Sequence, residues 1–126
     1  MDPNLQILVV DDYVTMVRIV RKLLKQIGYE KVDEASNGEM ALGMIKEKKY
    51  GLIISDWNME PMTGYELLKH VRAAEETAKT PFILVTAESR PDNVVAVQKS
   101  GANEYLVKPF SAPVLKEKID RALAAA

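Results

Sequence analysis

Residues 52–64 read LIISDWNMEPMTG: an apolar run that looks buried, then a carboxylate, Asp56, set directly beside Trp57. A second apolar run, LQILVV at 5–10, ends the same way, in the acidic pair Asp11 and Asp12. Similar runs recur as PFILVT at 81–86 and NEYLVK at 103–108, with a weaker one, KVDEAS at 31–36, around Val32. Short apolar runs without alternation read as strands buried on both faces, the signature of a parallel sheet. Between them the spacing is helical. Met16, Val20, Leu23, Leu24 and Ile27 form one stripe, closed by Gly28 as a C-cap. Leu67, Leu68 and Val71 form a second stripe, and Leu115, Ile119 and Leu123 a third.

Alternating strands and helices imply repeated right-handed crossovers, and so an α/β fold: a doubly wound five-stranded parallel sheet with five helices. The chain has 126 residues, the size of one core, and no linker, repeat or compositional break divides it. The expectation is one domain over residues 1–126, without an attached output domain. Composition narrows the chemistry. A net charge of -1 gives no polyanion-binding surface, so nucleic acid is not an expected partner. There is no cysteine and one histidine, His70, which removes thiol chemistry and multi-histidine metal cages. His70 itself reads as a solvated side chain. No apolar run reaches the roughly 20 residues that cross a bilayer, and the start MDPNLQ is not a leader, so no membrane insertion and a cytoplasmic location are expected.

In an open doubly wound sheet, ligands bind outside the carboxyl ends of the strands. Asp11 and Asp12 close the first strand, Asp56 the third, Thr86 the fourth and Lys108 the fifth. Singly, each has an ordinary role: Asp and Thr between strand and helix cap helices, and a lone lysine is usually solvated. Together they pose an electrostatic problem, because two unit charges about 4 Å apart repel by about 4 kcal/mol at an effective dielectric near 20. One ammonium leaves three carboxylates net negative. A hard divalent cation, magnesium, suits such a cluster and brings an affinity for phosphate. A carboxylate there, with a lysine and a hydroxyl aimed at the same point, can attack a phosphoryl group and form an acyl phosphate.

The motifs VVDD, DDYVTMVRIVRKLL, ISDWNM, VTAE and YLVKPF, in this order and spacing, resemble the receiver domains of bacterial response regulators, and among these the free-standing chemotaxis regulators. The resemblance covers essentially the whole chain. It implies a flavodoxin-like strand order 2-1-3-4-5, an order that periodicity alone does not give. It further implies that Asp56 accepts the phosphoryl group, that Asp12, Asp56 and the backbone carbonyl of Asn58 hold Mg2+, and that Asp11 assists through the ion's water shell. Lys108 would pair with the phosphoryl oxygens, with a cis bond to Pro109 aiming it. Thr86 would move toward them and Tyr105 would follow from exposed to buried, with the small Ala87 leaving room. Asn58 and Glu88 would tune the lifetime of the acyl phosphate, and the Trp57 indole would report on the site. Met59 and Met62 would shape the loop. One departure bears on magnesium affinity: the family commonly has proline right after the methionine and Asp before the glycine, whereas here Glu60 precedes Pro61 and Thr63 precedes Gly64.

Beyond its own aspartyl phosphorylation and dephosphorylation, no enzymatic activity is expected. The resemblance implies a monomer whose partners are a chemotaxis histidine kinase and a helical peptide of the flagellar motor switch, docked on the fourth helix, fifth strand and fifth helix through Arg90, Lys99, Tyr105, Lys116 and Lys118. The alternative is a phosphate sink or phosphorelay shuttle that drains the kinase without binding the motor. Two other folds compete. A haloacid-dehalogenase type phosphatase has its nucleophile at the end of the first strand, with a second acid two places on, unlike DDYVT. A flavodoxin-like FMN carrier wants a Ser/Thr/Gly-rich phosphate loop where this chain has Asp11 and Asp12.

Overall fold

Each apolar run is a strand: β1 (Ile7–Val10), β2 (Val32–Ala35), β3 (Leu52–Asp56), β4 (Phe82–Thr86) and β5 (Glu104–Val107). In this computed structural model, which describes residues 2–87 and 101–125, they form one parallel sheet in the order β2-β1-β3-β4-β5. Every residue of β1, β3 and β4 is buried, because these central strands are covered on both faces. The edge strands read more weakly for the same reason. In β2 only Val32 and Ala35 are buried, and in β5 only Leu106.

Successive residues of a strand point to opposite faces, so the sheet feeds two cores. Ile7, Val9, Ile54, Ile83 and Val85 pack toward α1 (Val14–Ile27) and the last helix, α4 (Ala112–Ala125). Leu8, Val10, Ile53, Phe82 and Leu84 pack toward α2 (Gly38–Glu47) and α3 (Gly64–Ala73). The described residues hold these four helices; the remaining predicted helix falls in residues 88–100, outside them.

Two of the predicted stripes turn slightly. In α1 the buried residues are Val17, Val20 and Leu24, while Met16, Leu23 and Ile27 lie half-buried along the margin. In α4 they are Leu115, Ile119 and Ala122, with Leu123 at the margin. The third stripe, Leu67, Leu68 and Val71, is buried as read. Gly28 ends α1 at φ 120°, donating its N–H to Leu24 and Lys25 carbonyls, a conformation that favours glycine. Asn37 caps α2 through its side chain, and Thr63 with Glu66 forms a capping box on α3.

At the edge away from the strands' carboxyl ends, Arg72 of α3 ties the sheet together. Its guanidinium donates to the carbonyls of Thr80 (2.6 Å) and Gly101 (3.0 Å) and to Asn103 Oδ1 (2.9 Å), which also accepts from the Phe82 N–H. Burial lowers the Arg72 pKa from its ordinary value. Replacing Arg72 by Ala removes the donor to the Thr80 and Gly101 carbonyls and one of the two donors to Asn103 Oδ1, and is expected to lower stability by about 2 kcal/mol, read as a shifted urea midpoint at unchanged slope. Arg72→Lys should recover little of this, because an ammonium lacks the planar fork that reaches all three; full recovery by lysine would show that only the charge matters.

Candidate functional site

The strand order places the carboxyl ends of β1, β3, β4 and β5 side by side, and past β1, β3 and β5 the sheet ladder continues to hold the next residue. The Asp11 N–H donates to the Ala35 carbonyl (3.1 Å), that of Trp57 to Val85 (2.8 Å) and that of Lys108 to Thr86 (2.8 Å). The polar groups that follow the apolar runs therefore stand on a rigid edge. One carboxylate oxygen each of Asp11, Asp12 and Asp56 lies within 4.8 Å of the others. Asp11 and Asp56 are buried, and Asp12 is exposed.

Lys108 reaches into this cluster. Its Nζ is 3.1 Å from Asp56 Oδ1 and 3.2 Å from Asp11 Oδ2. The other oxygen of Asp11 accepts the Tyr13 N–H at 3.0 Å, ahead of α1, whose N-cap Tyr13 provides no side-chain cap. Asp11 thus serves both its ordinary turn role and the cluster. Burial pushes the Asp56 pKa up, and the neighbouring Asp11 charge adds to this; the Lys108 ammonium opposes it without prevailing. Lys108 shows the other side of the imbalance. Burial works against its ammonium, but Asp56 and Asp11 outweigh burial and hold its pKa above the ordinary lysine value. The pair resolves one way for the cation and the other for the acid, because two buried acids share one ammonium.

An all-oxygen donor set with excess negative charge is what a hard divalent cation takes, so these residues fit magnesium and fit poorly a soft metal that prefers thiolate or imidazole.

The loop that follows Asp56 is built around a close approach that the sequence does not advertise. The Gly64 N–H donates to the Trp57 carbonyl at 2.9 Å, and a Cβ at Gly64 would stand 2.0 Å from the Asp56 carbonyl oxygen. Only glycine lets α3 start there. Ser55 Oγ donates to that same oxygen at 3.0 Å. Trp57 stacks on Tyr65 with centroids 5.8 Å apart. Met59 is buried, Met62 half-buried and Asn58 exposed. Glu60 is exposed and is not among the clustered carboxylates. The Glu60–Pro61 and Lys108–Pro109 peptide bonds are both cis, the latter as the resemblance implies.

Thr86 is buried at the end of β4, and Ala87 is exposed just beyond it. Tyr105 is half-buried on β5, with Lys118 Nζ 5.0 Å above its ring and 3.3 Å from Glu104. Lys116 does not join them. Two positions back, it lies about 200° around the helix from Lys118 and pairs with Asp120 at 2.8 Å. Glu88, Arg90 and Lys99 lie outside the described residues. His70 is exposed.

Comparison with known proteins agrees with this geometry. Residues 7–120 match the family model of the response regulator receiver domain. The chain is 42% identical over 121 residues to the chemotaxis protein CheY-3 of Vibrio cholerae, covering 96% of this chain and 93% of that protein. It is 44% identical over 117 residues to the chemotaxis protein CheY of Pseudomonas aeruginosa, covering 93% and 94%. Among solved structures it is similar to the chemotaxis response regulator CheY4 of Vibrio cholerae, with a TM-score of 0.87 and 35% identity over 95% of this chain and 99% of that one. It is also similar to the response regulator TrrA of Thermotoga maritima in complex with Mg2+-BeF, with a TM-score of 0.82 and 34% identity over 94% and 99%. The phosphatase and flavin-carrier readings find no support here: from the acid-terminated strands to the lysine that joins them, this chain belongs to the response regulator receiver domain family.

Proposed function

We propose that this receiver domain is a phosphorylation-dependent switch of a chemotaxis two-component system, with Asp56 as the phosphoryl acceptor. The observation that carries the reading is the single ammonium of Lys108 shared between Asp56 at 3.1 Å and Asp11 at 3.2 Å inside a three-carboxylate cluster. A receiver needs a carboxylate nucleophile beside a fixed cation, and this arrangement supplies both. In the transfer, an Asp56 oxygen attacks phosphorus, the phosphorus–nitrogen bond of a kinase phosphohistidine breaks, and the imidazole leaves with the electron pair. Lys108 is already placed to balance charge on the incoming phosphoryl oxygens.

Asp12, Asp56 and the backbone carbonyl of Asn58 would hold Mg2+, with Asp11 acting through its water shell; the TrrA complex with Mg2+-BeF supports this assignment. Bound magnesium supplies charge neutralisation for the carboxylates and the phosphoryl group. Thr86, buried at the strand end, and Ala87 and Tyr105 form the switch that reads the new charge, and Asn58 and Glu88 set the lifetime of the acyl phosphate. The output surface is the β5 and α4 side. Tyr105, Phe110, Val114 and Lys118 border a surface cavity of about 560 Å³ there, suited to an apolar helical peptide with acidic residues. This peptide belongs to the flagellar motor switch in the proposed reading.

Three outcomes test this. The first concerns charge. Because the folded-state pKa of Asp56 is raised, its ionised form is the one folding disfavours; metal-free stability is fullest below the ordinary aspartate range and falls as pH rises through the elevated value. At neutral pH Asp56→Asn should therefore raise the metal-free melting temperature by about 2–5 °C, while millimolar Mg2+ should raise that of the parent and barely move that of the variant. A variant that melts lower without metal would contradict the crowding. Second, acetyl phosphate or a phosphorylated kinase should label the parent and leave Asp56→Asn unlabelled, as followed by intact-protein mass; full labelling of the variant would move the acceptor elsewhere. Third, titration of a motor-switch peptide with and without beryllofluoride should show at least about tenfold tighter binding in the activated state, a coupling of about 1.4 kcal/mol. Equal affinity in both states would instead favour the phosphate sink.

A further inference from the structure

The loop between Asp56 and Gly64 is anchored at its ends, by Trp57 on Val85 and Gly64 and by the Thr63 capping box. Among the described residues no backbone hydrogen bond holds residues 58–62. Their pose rests on side chains. Met59 is sunk in the core beneath α2 and α3 at 3% exposure. Met62 lies across Gly38, the first residue of α2: a Cβ built at Gly38 would stand 2.8 Å from Met62 Cβ, 2.9 Å from Cγ and 3.0 Å from Sδ. A real side chain cannot enter that gap without displacing the loop.

Gly38 is not there for its backbone freedom. Positive φ among the described glycines is confined to Gly28 and Gly101, and in a helix glycine is less favourable than alanine by up to about 1 kcal/mol. What glycine supplies at this position is room. The seat itself is fixed, since Asn37 caps α2 by accepting the Met40 N–H at 2.8 Å. Met62, together with the buried Met59, thus docks a loop that lacks backbone tethers, seating its far part on a rigid helix end, and that loop carries Asn58.

We propose that the seating of Met62 on Gly38 is a positioning contact for the divalent ion: it sets where the Asn58 backbone carbonyl stands relative to Asp12 and Asp56. The inference rests on the magnesium reading above. Magnesium demands near-octahedral geometry at short range, so a carbonyl displaced by a few tenths of an ångström is a poorer ligand. Neither Met62 nor Gly38 touches the ion in this account.

The test is calorimetric titration of the full chain with MgCl2, for the parent, Gly38→Ala, Met62→Ala and the double variant, alongside melting temperatures in EDTA. Each single variant is expected to weaken Mg2+ binding by about tenfold, the scale of lost outer-shell support. The double variant should lose clearly less than the product of the two, because each change removes the same contact. A merely structural role would lower the metal-free melting temperature and leave the Mg2+ affinity where it was. Single variants that bind Mg2+ within about twofold of the parent, a margin inside the additivity error of distant sites, would overturn the proposal. If Gly38→Ala does not fold, Met62→Ala, which leaves the α2 backbone untouched, decides it alone. Absence of Mg2+ binding to the parent is a different failure, which removes the magnesium reading and this inference with it.

Discussion

Two buried carboxylates and a third at the surface, all within 4.8 Å of one another and served by one ammonium, are the constraint to which the rest of the molecule answers. Left alone, such groups separate or take up protons. They are kept together because each stands at the end of a strand whose own position is not negotiable. The central strands are buried along their whole length, and ladder hydrogen bonds run one residue beyond the ends of β1, β3 and β5, to Asp11, Trp57 and Lys108. Hydrophobic burial across the sheet therefore supplies the work that holds like charges in place.

The size of that work explains the form of the site. Repulsion of about 4 kcal/mol for a close carboxylate pair at an intermediate dielectric is a large part of the roughly 5–15 kcal/mol by which a domain of this size is stable. Lys108 relieves part of it, and the direction of the Asp56 shift says that a net deficit remains. A site that is uncomfortable without an added cation is also one that responds to a change of charge. Stability given up at the strand ends is what makes the site sensitive, and the apolar interior, with Arg72 fastening the opposite edge of the sheet, makes the loss tolerable.

Much of this was legible in the chain, and the exceptions share a cause. Buried strands and the acids that end them are local patterns, so β1, β3 and β4 and their terminal residues were readable directly. The edge strands were fainter because one side of an edge strand is less covered, which dilutes the apolar run. Gly64 against Asp56, and Gly38 beneath Met62, were invisible for a different reason: a glycine's meaning lies in which distant atom comes close to it, and sequence does not say. The different surroundings of Lys116 and Lys118 follow from geometry that the sequence did contain. Two residues apart on a helix means nearly opposite faces, and basic composition obscured this. The membership of Arg90 and Lys99 in that surface concerns residues outside those described.

The position of β5 bears on how a charge at the site reaches the surface under the proposed reading. It is an edge strand, paired only with β4 among the strands, and just four residues long. Lys108 follows it directly, so the group that balances charge at Asp56 shares a short rigid segment with Tyr105 and Glu104, to which Lys118 of the last helix is bound by ring and carboxylate. A displacement of Lys108 toward a phosphoryl group acts on a strand held by one neighbour rather than two. The central strands, paired on both sides, hold the nucleophile still, and the edge strand is free to respond. That division of stiffness favours output at the β5 and α4 surface over any face lined by β1 or β3, whose strands cannot shift without disturbing the acids themselves.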